Sequence, residues 1–325
     1  MTRRSFLLLL VGLAAVLVLA GVGSLLVGSA SIPPSRAAEI LLGAGSALDR
    51  TILLDLRLPR VLLAIVVGAG LAGAGTAYQG LFLNPLADPF VIGASSGAAL
   101  GATVAILTGL GGLPFAAFLG SLGAVGLVYL LGGSGGSSSP LTLLLAGAAV
   151  STIVGALVSL LMILNDQSLG VIFNWLLGGL STATWRELGY GAPMIAVGLV
   201  ALAFLSRPLD ALALGDDTAR SLGLSVVTFR LAIVLAATLT TAAAVAAAGI
   251  IGFVGLVAPH AARRIVGGRS SRLLPASCFL GALLLLLADG AARGLAAPRE
   301  IPVSIVTALV GGPFFLLLLR RGSLD

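Results

Sequence analysis

Residues 206–230 read S-R-P-L-D-A-L-A-L-G-D-D-T-A-R-S-L-G-L-S-V-V-T-F-R, an island of charge in a chain that is otherwise apolar. Arg207 and Asp210 open it, and Asp216, Asp217, Arg220 and Arg230 fall in its second half. Its middle has the marks of one short helix over Asp216–Leu222. Gly215-Asp216 supplies the amino-terminal cap, Asp217 lies in the first turn, Arg220 in the last, and Gly223 is placed to end it. Ala219 and Leu222, three apart, are expected to share a face. Between two membrane spans such a helix cannot offer that face to lipid and keep its charges wet, but it can offer it to another protein. The plainer alternative is a solvated loop helix, and the rest of the chain decides between the two.

Of the 325 residues, 58% are hydrophobic and 9% charged, against roughly 25% charged in soluble domains. The composition is that of an all-α, polytopic membrane protein with room for about ten spans of about 20 residues. Unbroken apolar runs such as residues 283–287 exclude the alternation of a membrane β-barrel. The 45 glycines fit close helix packing in lipid. All 18 basic residues are Arg. The phosphate-binding loop G-x-x-x-x-G-K-[ST] needs a Lys, so the chain is not itself an ATPase of that kind. The formal charge of +6 bears on topology and implies no nucleic-acid partner. Cys278 is the single cysteine, which excludes an internal disulfide and leaves it as packing.

The spans predicted for this single transmembrane domain cover residues 6–27, 61–82, 90–107, 114–131, 141–164, 193–205, 229–247, 250–266, 275–292 and 305–319. Thr2-Arg3-Arg4-Ser5-Phe6-Leu7 is similar to a twin-arginine export signal, with Ser29-Ala30 as a cleavage region. The apolar run after it is nevertheless long enough to span, beyond a signal core of 7–15 residues. Residues 171–180 read as a short external interfacial helix, with Trp175 and Trp185 at the aromatic belt. Gly132–Pro140 reads as a flexible internal linker. The charge-free run 231–259 is only 29 residues, so one arm of that hairpin must be short or reach past His260. Both termini fall in the cytoplasm, where Arg3, Arg4, Arg263, Arg264, Arg320 and Arg321 obey the positive-inside rule. Seven arginines fall outside against it: Arg36, Arg50, Arg57, Arg60, Arg186, Arg293 and Arg299.

Five segments carry a resemblance: Leu56-Arg57-Leu58-Pro59-Arg60; Gln79-Gly80 with Asn84-Pro85-Leu86-Ala87-Asp88-Pro89; Leu214-Gly215 with Ala219-Arg220 and Leu222-Gly223; residues 252–260, G-F-V-G-L-V-A-P-H; and Glu300-Ile301-Pro302-Val303. In this order and spacing they resemble the permease subunits of type II ABC importers for ferric siderophores, haem and cobalamin. Two departures are Ser304, where Gly is usual, and Gly311-Gly312-Pro313 in place of Gly-Ala-Pro.

The resemblance implies a coupling helix in the 206–230 island, set in a groove of a cytoplasmic ATPase. Leu214 and Leu222 would be its apolar anchors, and Asp216, Asp217 and Arg220 its interface charges. It implies docking of an extracytoplasmic substrate-binding protein at Arg57, Arg60 and Arg293, through paired charges that orient more than they tighten; the alternative for Arg60 is a headgroup anchor. Asn84 and Leu86 would help close the cytoplasmic mouth, or simply make a Pro-directed turn. Ser151, Thr152 and Ser159 would line the pathway, or bond back to their own helix. Asn174 and Trp175 would rim the entrance. Asp289, four residues before Arg293, reads as a local ion pair, and the lone His260 as structural.

The implied function is the transmembrane subunit of an ATP-driven importer in the prokaryotic plasma (inner) membrane, as a homodimer or paired with a close paralogue. It would work with two ABC ATPases and a binding protein. The chain would hold no cofactor or metal, ATP and Mg belonging to the ATPase. The cargo would be a ferric siderophore, or else haem or cobalamin. The contrasting reading is a stand-alone secondary transporter or channel, against which the spans carry only Asp289 as a clear charge. Purified alone in lipid vesicles, the chain is expected neither to hydrolyse ATP nor to move substrate. ATPase activity from the isolated, contaminant-free polypeptide would overturn that expectation.

Overall fold

The computed structural model describes residues 2–26, 33–43, 45–109, 111–132, 140–295 and 299–320, and among them there are helices and no strands. In order they are α1 (Arg3–Leu26), α2 (Pro34–Leu41), α3 (Ala47–Arg50), α4 (Leu58–Leu81), α5 (Ala94–Thr108), α6 (Leu113–Gly132), α7 (Pro140–Ile163), α8 (Leu169–Leu176), α9 (Trp185–Phe204), α10 (Ser206–Leu212), α11 (Asp216–Ser221), α12 (Val226–Ala248), α13 (Val254–Val266), α14 (Ser270–Gly294) and α15 (Val303–Arg320). A π-helical turn, Thr51–Arg57, joins α3 to α4. Ten of these make the crossings: α1, α4 to α7, α9 and α12 to α15. An even count returns the carboxyl end to the side of the amino end.

Seven helices are long and apolar enough to span unaided. By contrast, α13 has 13 residues and α5 has 15, about 20 Å of rise each against a hydrocarbon core of about 30 Å. Irregular chain makes up the difference, and in lipid its polar groups must be satisfied within the protein. Before α5, Asn84 Oδ1 accepts from Leu86 N at 2.9 Å and Asp88 Oδ1 from Phe90 N at 3.0 Å. Before α13, Gly179 N donates to Ala248 O at 2.8 Å. Gln79 Nε2 on α4 donates to Gly255 O at 3.2 Å. The short arm after Leu231 is therefore α13.

The bundle is built around α4 and α12, each 78% buried over its apolar window, whereas α1 is 6% buried and faces lipid. Around α4 lie α9, α12, α13 and α14. Glycines set these approaches. A Cβ on Gly68 would stand 2.4 Å from Gly281 O, one on Gly75 1.9 Å from Gly255 O, and one on Gly97 2.2 Å from Gly120 O.

Several boundaries differ from the sequence-based spans. The sixth starts at Trp185 and not at residue 193, because Thr184 caps it: Arg186 N donates to Thr184 Oγ1 at 3.2 Å and Thr184 N to Glu187 Oε2 at 3.0 Å. Pro193 therefore lies inside α9. The third starts at Ala94, since residues 84–93 are irregular. The second extends back through the π-helical turn, so Arg57 and Arg60 sit on continuous helix. The ninth begins at Ser270, with Pro275 inside it. The external helix is α8, over Leu169–Leu176 and not residues 171–180. Helices α2 and α3 had no counterpart in the sequence reading. Ser29-Ala30, residues 133–139 of the linker and Arg321 lie outside the described residues.

Gly75→Ala is expected to destabilise the protein by about 1–3 kcal/mol or more, because its Cβ meets backbone that cannot step aside. Gly123→Ala, with nothing within 4 Å, should leave the melting temperature unchanged or higher. Thermal unfolding in detergent checks this, and equal melting temperatures for the two variants would refute the close-approach account.

Candidate functional site

At the external end a cavity of about 610 Å³ opens among Asn174, Trp175, Glu187, Tyr190, Arg60 and Glu300. The capping box at Thr184 fixes Glu187, and Trp185 Nε1 donates to Leu54 O at 3.1 Å, tying the start of α9 to the π-helical turn. Ser304 donates from its hydroxyl to Leu177 O, which joins the amino end of α15 to the end of α8. Asn174 and Trp175 thus come together with Arg60 at one vestibule.

Beside it lies a buried charge cluster. Asp289 on α14 is fully buried. Arg60 on α4 reaches it with Nε at 3.0 Å from Oδ1, and Arg293 lies with Nε at 3.1 Å from Oδ2. Arg60 also donates from Nη1 to Glu300 Oε2 at 2.8 Å, where Glu300 is 41% exposed in its side chain. The i,i+4 pair Asp289–Arg293 is found; the cross-helix pair to Arg60 was not read from sequence.

Arg57 and Arg293 do not present the free external cations that the sequence reading expected. They are 7% and 6% exposed. Arg57 Nη1 donates to Leu25 O at 2.8 Å, and Arg293 donates to Ser24 O at 3.2 Å and to Ser24 Oγ. The last carbonyls of α1 have no intrahelical partner, and these two guanidiniums take them.

At the cytoplasmic end the island forms two short helices, α10 and α11. Helix α11 starts at Gly215 (φ 101°) and ends at Gly223 (φ 79°). Leu224 N bonds to Ala219 O at 3.1 Å and Gly223 N to Arg220 O at 2.9 Å, the paired closure of a Schellman end. Its charges bond within the chain: Arg220 Nη1 to Asp217 Oδ1 at 2.9 Å, and Asp216 Oδ1 to Arg230 Nη2 at 2.6 Å, where Arg230 is buried on α12. Ala219 and Leu222 do not share a face. Ala219 is fully buried against the bundle, whereas Leu222 is 63% exposed and Leu214 69%. Leu222 is the cap residue, the last position before the Gly223 closure.

The remaining candidates divide. Asn84 forms an Asx turn with Leu86 N, and Leu86 is half-buried. Ser151 faces inward, 3.3 Å from Ser96 Oγ on α5. Thr152 and Ser159 lie on the exposed face of α7, with Thr152 Oγ1 bonded back to Ala148 O at 2.9 Å. His260 packs edge-on to Phe314, with ring centroids 5.9 Å apart. Sequence reasoning missed Glu187; Ser304 was noted only as a departure, and Glu300 stood in a quoted segment without a role.

Comparison with known proteins agrees with this architecture. The FecCD transport family matches residues 16–321. The chain is 37% identical over 322 residues to the Fe(3+)-citrate import system permease protein YfmE of Bacillus subtilis, covering 98% of this chain and 96% of that protein. It is 42% identical to the cobalamin import system permease protein BtuC of Halobacterium salinarum, over 82% and 72% of the two chains. It is 41% identical to the hemin transport system permease protein HmuU of Yersinia pestis, over 82% and 83%. A solved structure described as an inward-facing conformation of a metal-chelate type ABC transporter superposes with a TM-score of 0.87 at 37% identity, over 96% of this chain and 99% of that one.

Asp289→Asn removes the fully buried carboxylate shared by buried Arg293 and part-buried Arg60. Breaking a buried pair costs up to about 3–5 kcal/mol, and here the loss falls mainly on Arg293, since Arg60 keeps Glu300. The variant should unfold at lower temperature than wild type in the same detergent, and Arg60→Lys, which keeps the charge but loses the fork, should fall less far. An Asp289→Asn protein as stable as wild type would show that the cluster does not hold α4 to α14.

Proposed function

This chain belongs to the FecCD transport family of ABC importer permeases, and we propose that it carries a ferric siderophore from an extracytoplasmic binding protein into the cytoplasm. It is an integral, multi-pass protein of the inner membrane. Two copies form the pathway between them, two ABC ATPases bind inside, and ATP with Mg is bound and hydrolysed there.

The observation that carries the reading is the pair Leu214 and Leu222. Two exposed leucines bracket a short helix whose charges are bonded to one another and to Arg230. A solvated loop has no use for that arrangement, whereas a groove on a partner protein does: apolar anchors seat in it while Asp217 and Arg220 remain at the wet rim. Outside, Arg60 and half-exposed Glu300 stand at the mouth of the vestibule, and Arg57 and Arg293 lie behind them. Arg60 is then the contact for an acidic docking partner, and the two buried arginines contribute through their field. On α7, Thr152 and Ser159 face away from their own subunit; a second copy on that face makes them pathway-lining.

The relatives' names cover iron citrate, haem, cobalamin and molybdate. An iron chelate is preferred because a vestibule of about 610 Å³ with Asn174, Trp175 and Tyr190 on its wall suits a bulky, oxygen-rich complex. Reconstituted with its ATPases and binding protein, the importer is expected to accumulate ferric siderophore in vesicles in preference to haem, cobalamin or molybdate. Uptake of one of those in its place would reassign the cargo and leave the transport role standing.

Leu222→Asp is expected to abolish co-purification of the ATPase and cargo-stimulated hydrolysis while the bundle stays folded. Seating an unpaired carboxylate in an apolar groove costs more than the about 2–7 kcal/mol of an unpaired neutral polar group, whereas an exposed loop position tolerates the change at about 0.5 kcal/mol or less. A Leu222→Asp protein that retains both properties at wild-type level would make α11 a solvated loop helix.

A further inference from the structure

A second cavity, of about 410 Å³, lies far from the vestibule, in the cytoplasmic half of the bundle between α9 and α14. Both helices pack on α4, where Gly73 lies against three of the lining side chains. A Cβ there would stand 2.3 Å from Leu199 Cδ2, 3.3 Å from Cys278 Sγ and 3.7 Å from Leu274 Cδ1. The walls are apolar: Leu199 and Ala203 on α9, Leu274, Pro275 and Phe279 on α14. The cytoplasmic end is different. Ser206 and Ser271 line it, and each is followed in sequence by an arginine, Arg207 and Arg272, with Arg269 two residues before Ser271.

An apolar groove facing lipid is filled by whatever chain is next to it, because lipid tails are as apolar as the walls. Selectivity can come only from the end where the groove meets water. Here that end is flanked by basic residues. Arg207 and Arg269 are exposed, and Asp210, three residues after Arg207 on α10, is turned to the amino end of α14, where its Oδ1 accepts from Ser270 N at 2.7 Å. That bond holds α10 against α14 and spends the carboxylate on backbone. Ser271 is exposed at the same edge and carries a hydroxyl able to donate. Basic residues at the cytoplasmic interface attract anionic headgroups, and arginine is the side chain that meets phosphate oxygens with two parallel donors.

We propose that the groove between α9 and α14 is a binding site for an anionic phospholipid, one acyl chain lying along Leu199, Leu274 and Phe279 and the phosphate held by Arg207 and Arg269. The site is separate from the vestibule and from α11. It sits where α9 gives way to α10 at the start of the island, so its occupant fastens the root of that segment.

Cys278, the chain's only cysteine, lines the groove and reports on it. The assembled importer is placed in nanodiscs of phosphatidylcholine alone, or of phosphatidylcholine with one quarter phosphatidylglycerol. Alkylation of Cys278 by a membrane-permeant maleimide is then followed by mass spectrometry of this chain. Phosphatidylglycerol is expected to slow the reaction about tenfold, and Arg207→Gln/Arg269→Gln should remove the difference. Equal rates in the two bilayers for the wild type, or protection that survives the double substitution, would overturn the proposal. Phosphatidylglycerol retained through detergent washing is counted in parallel by native mass spectrometry. About one molecule per chain in the wild type and none in the variant is the expected result. Equal retention, or none in either, would overturn the proposal even if Cys278 proved unreactive throughout.

Discussion

At Gly75 and Gly255 the backbones of α4 and α13 meet with no room for a single methyl group, and at Gly68 and Gly281 α4 meets α14 in the same way. Among lipid tails an apolar side chain gains little by turning inward, so cohesion must come from dispersion at close range and from polar pairs. That makes α4 the fixed part of the bundle. Its outer end carries Arg60 and its inner end leads into the Asn84 turn, so a single 24-residue helix joins the external cavity to the cytoplasmic end of the bundle.

The same close approach explains where the chain gives up helix. Helices α5 and α13 stop short of a full crossing, and the irregular piece before α5 is packed against α13: Pro89 lies 2.7 Å from where a Cβ on Gly255 would stand. Gln79 from α4 bonds to carbonyls at the start of α13. Irregular backbone is tolerated at membrane depth only when protein surrounds it, and here it clusters around one helix. The other deeply buried helix, α12, receives the island. Asp216 bonds to buried Arg230 near the start of α12, which ties α11 to the most buried part of the bundle.

What the sequence made legible was whatever depends on composition and period. The apolar runs, the absence of Lys and the glycine brackets around α11 specify a ten-helix bundle with a capped helix in its third cytoplasmic segment. What it left hidden depends on pairing across the chain. The Arg60–Asp289 bond spans 229 positions, and the Asp289–Arg293 spacing pointed to a local pair only. Burial of Arg57 and Arg293 follows from the open carbonyls at the end of α1, which no residue pattern advertises. Leu222 was assigned the face of Ala219 on i,i+3 spacing, but it is the cap residue, one beyond the last helical position Ser221.

The seven arginines on the external side, contrary to the usual bias, have an account in the same pairings. Seven carboxylates fall on that side too: Glu39, Asp49, Asp55, Asp166, Glu187, Asp289 and Glu300. Several are in contact with the arginines, as in Arg36–Asp49 at 3.7 Å, Arg60–Glu300 at 2.8 Å and the shared Asp289. The outer face is therefore neutral in sum, and the whole formal charge of +6 belongs to the cytoplasmic face. Acidic residues weigh little in setting orientation during insertion, so the inner arginines can direct topology while the outer ones are neutralised afterwards by folding. An external arginine matched in this way no longer opposes the orientation of its span. It becomes a tie between helices, and where its partner is half-exposed, as Glu300 is, part of that tie remains open to an incoming carboxylate.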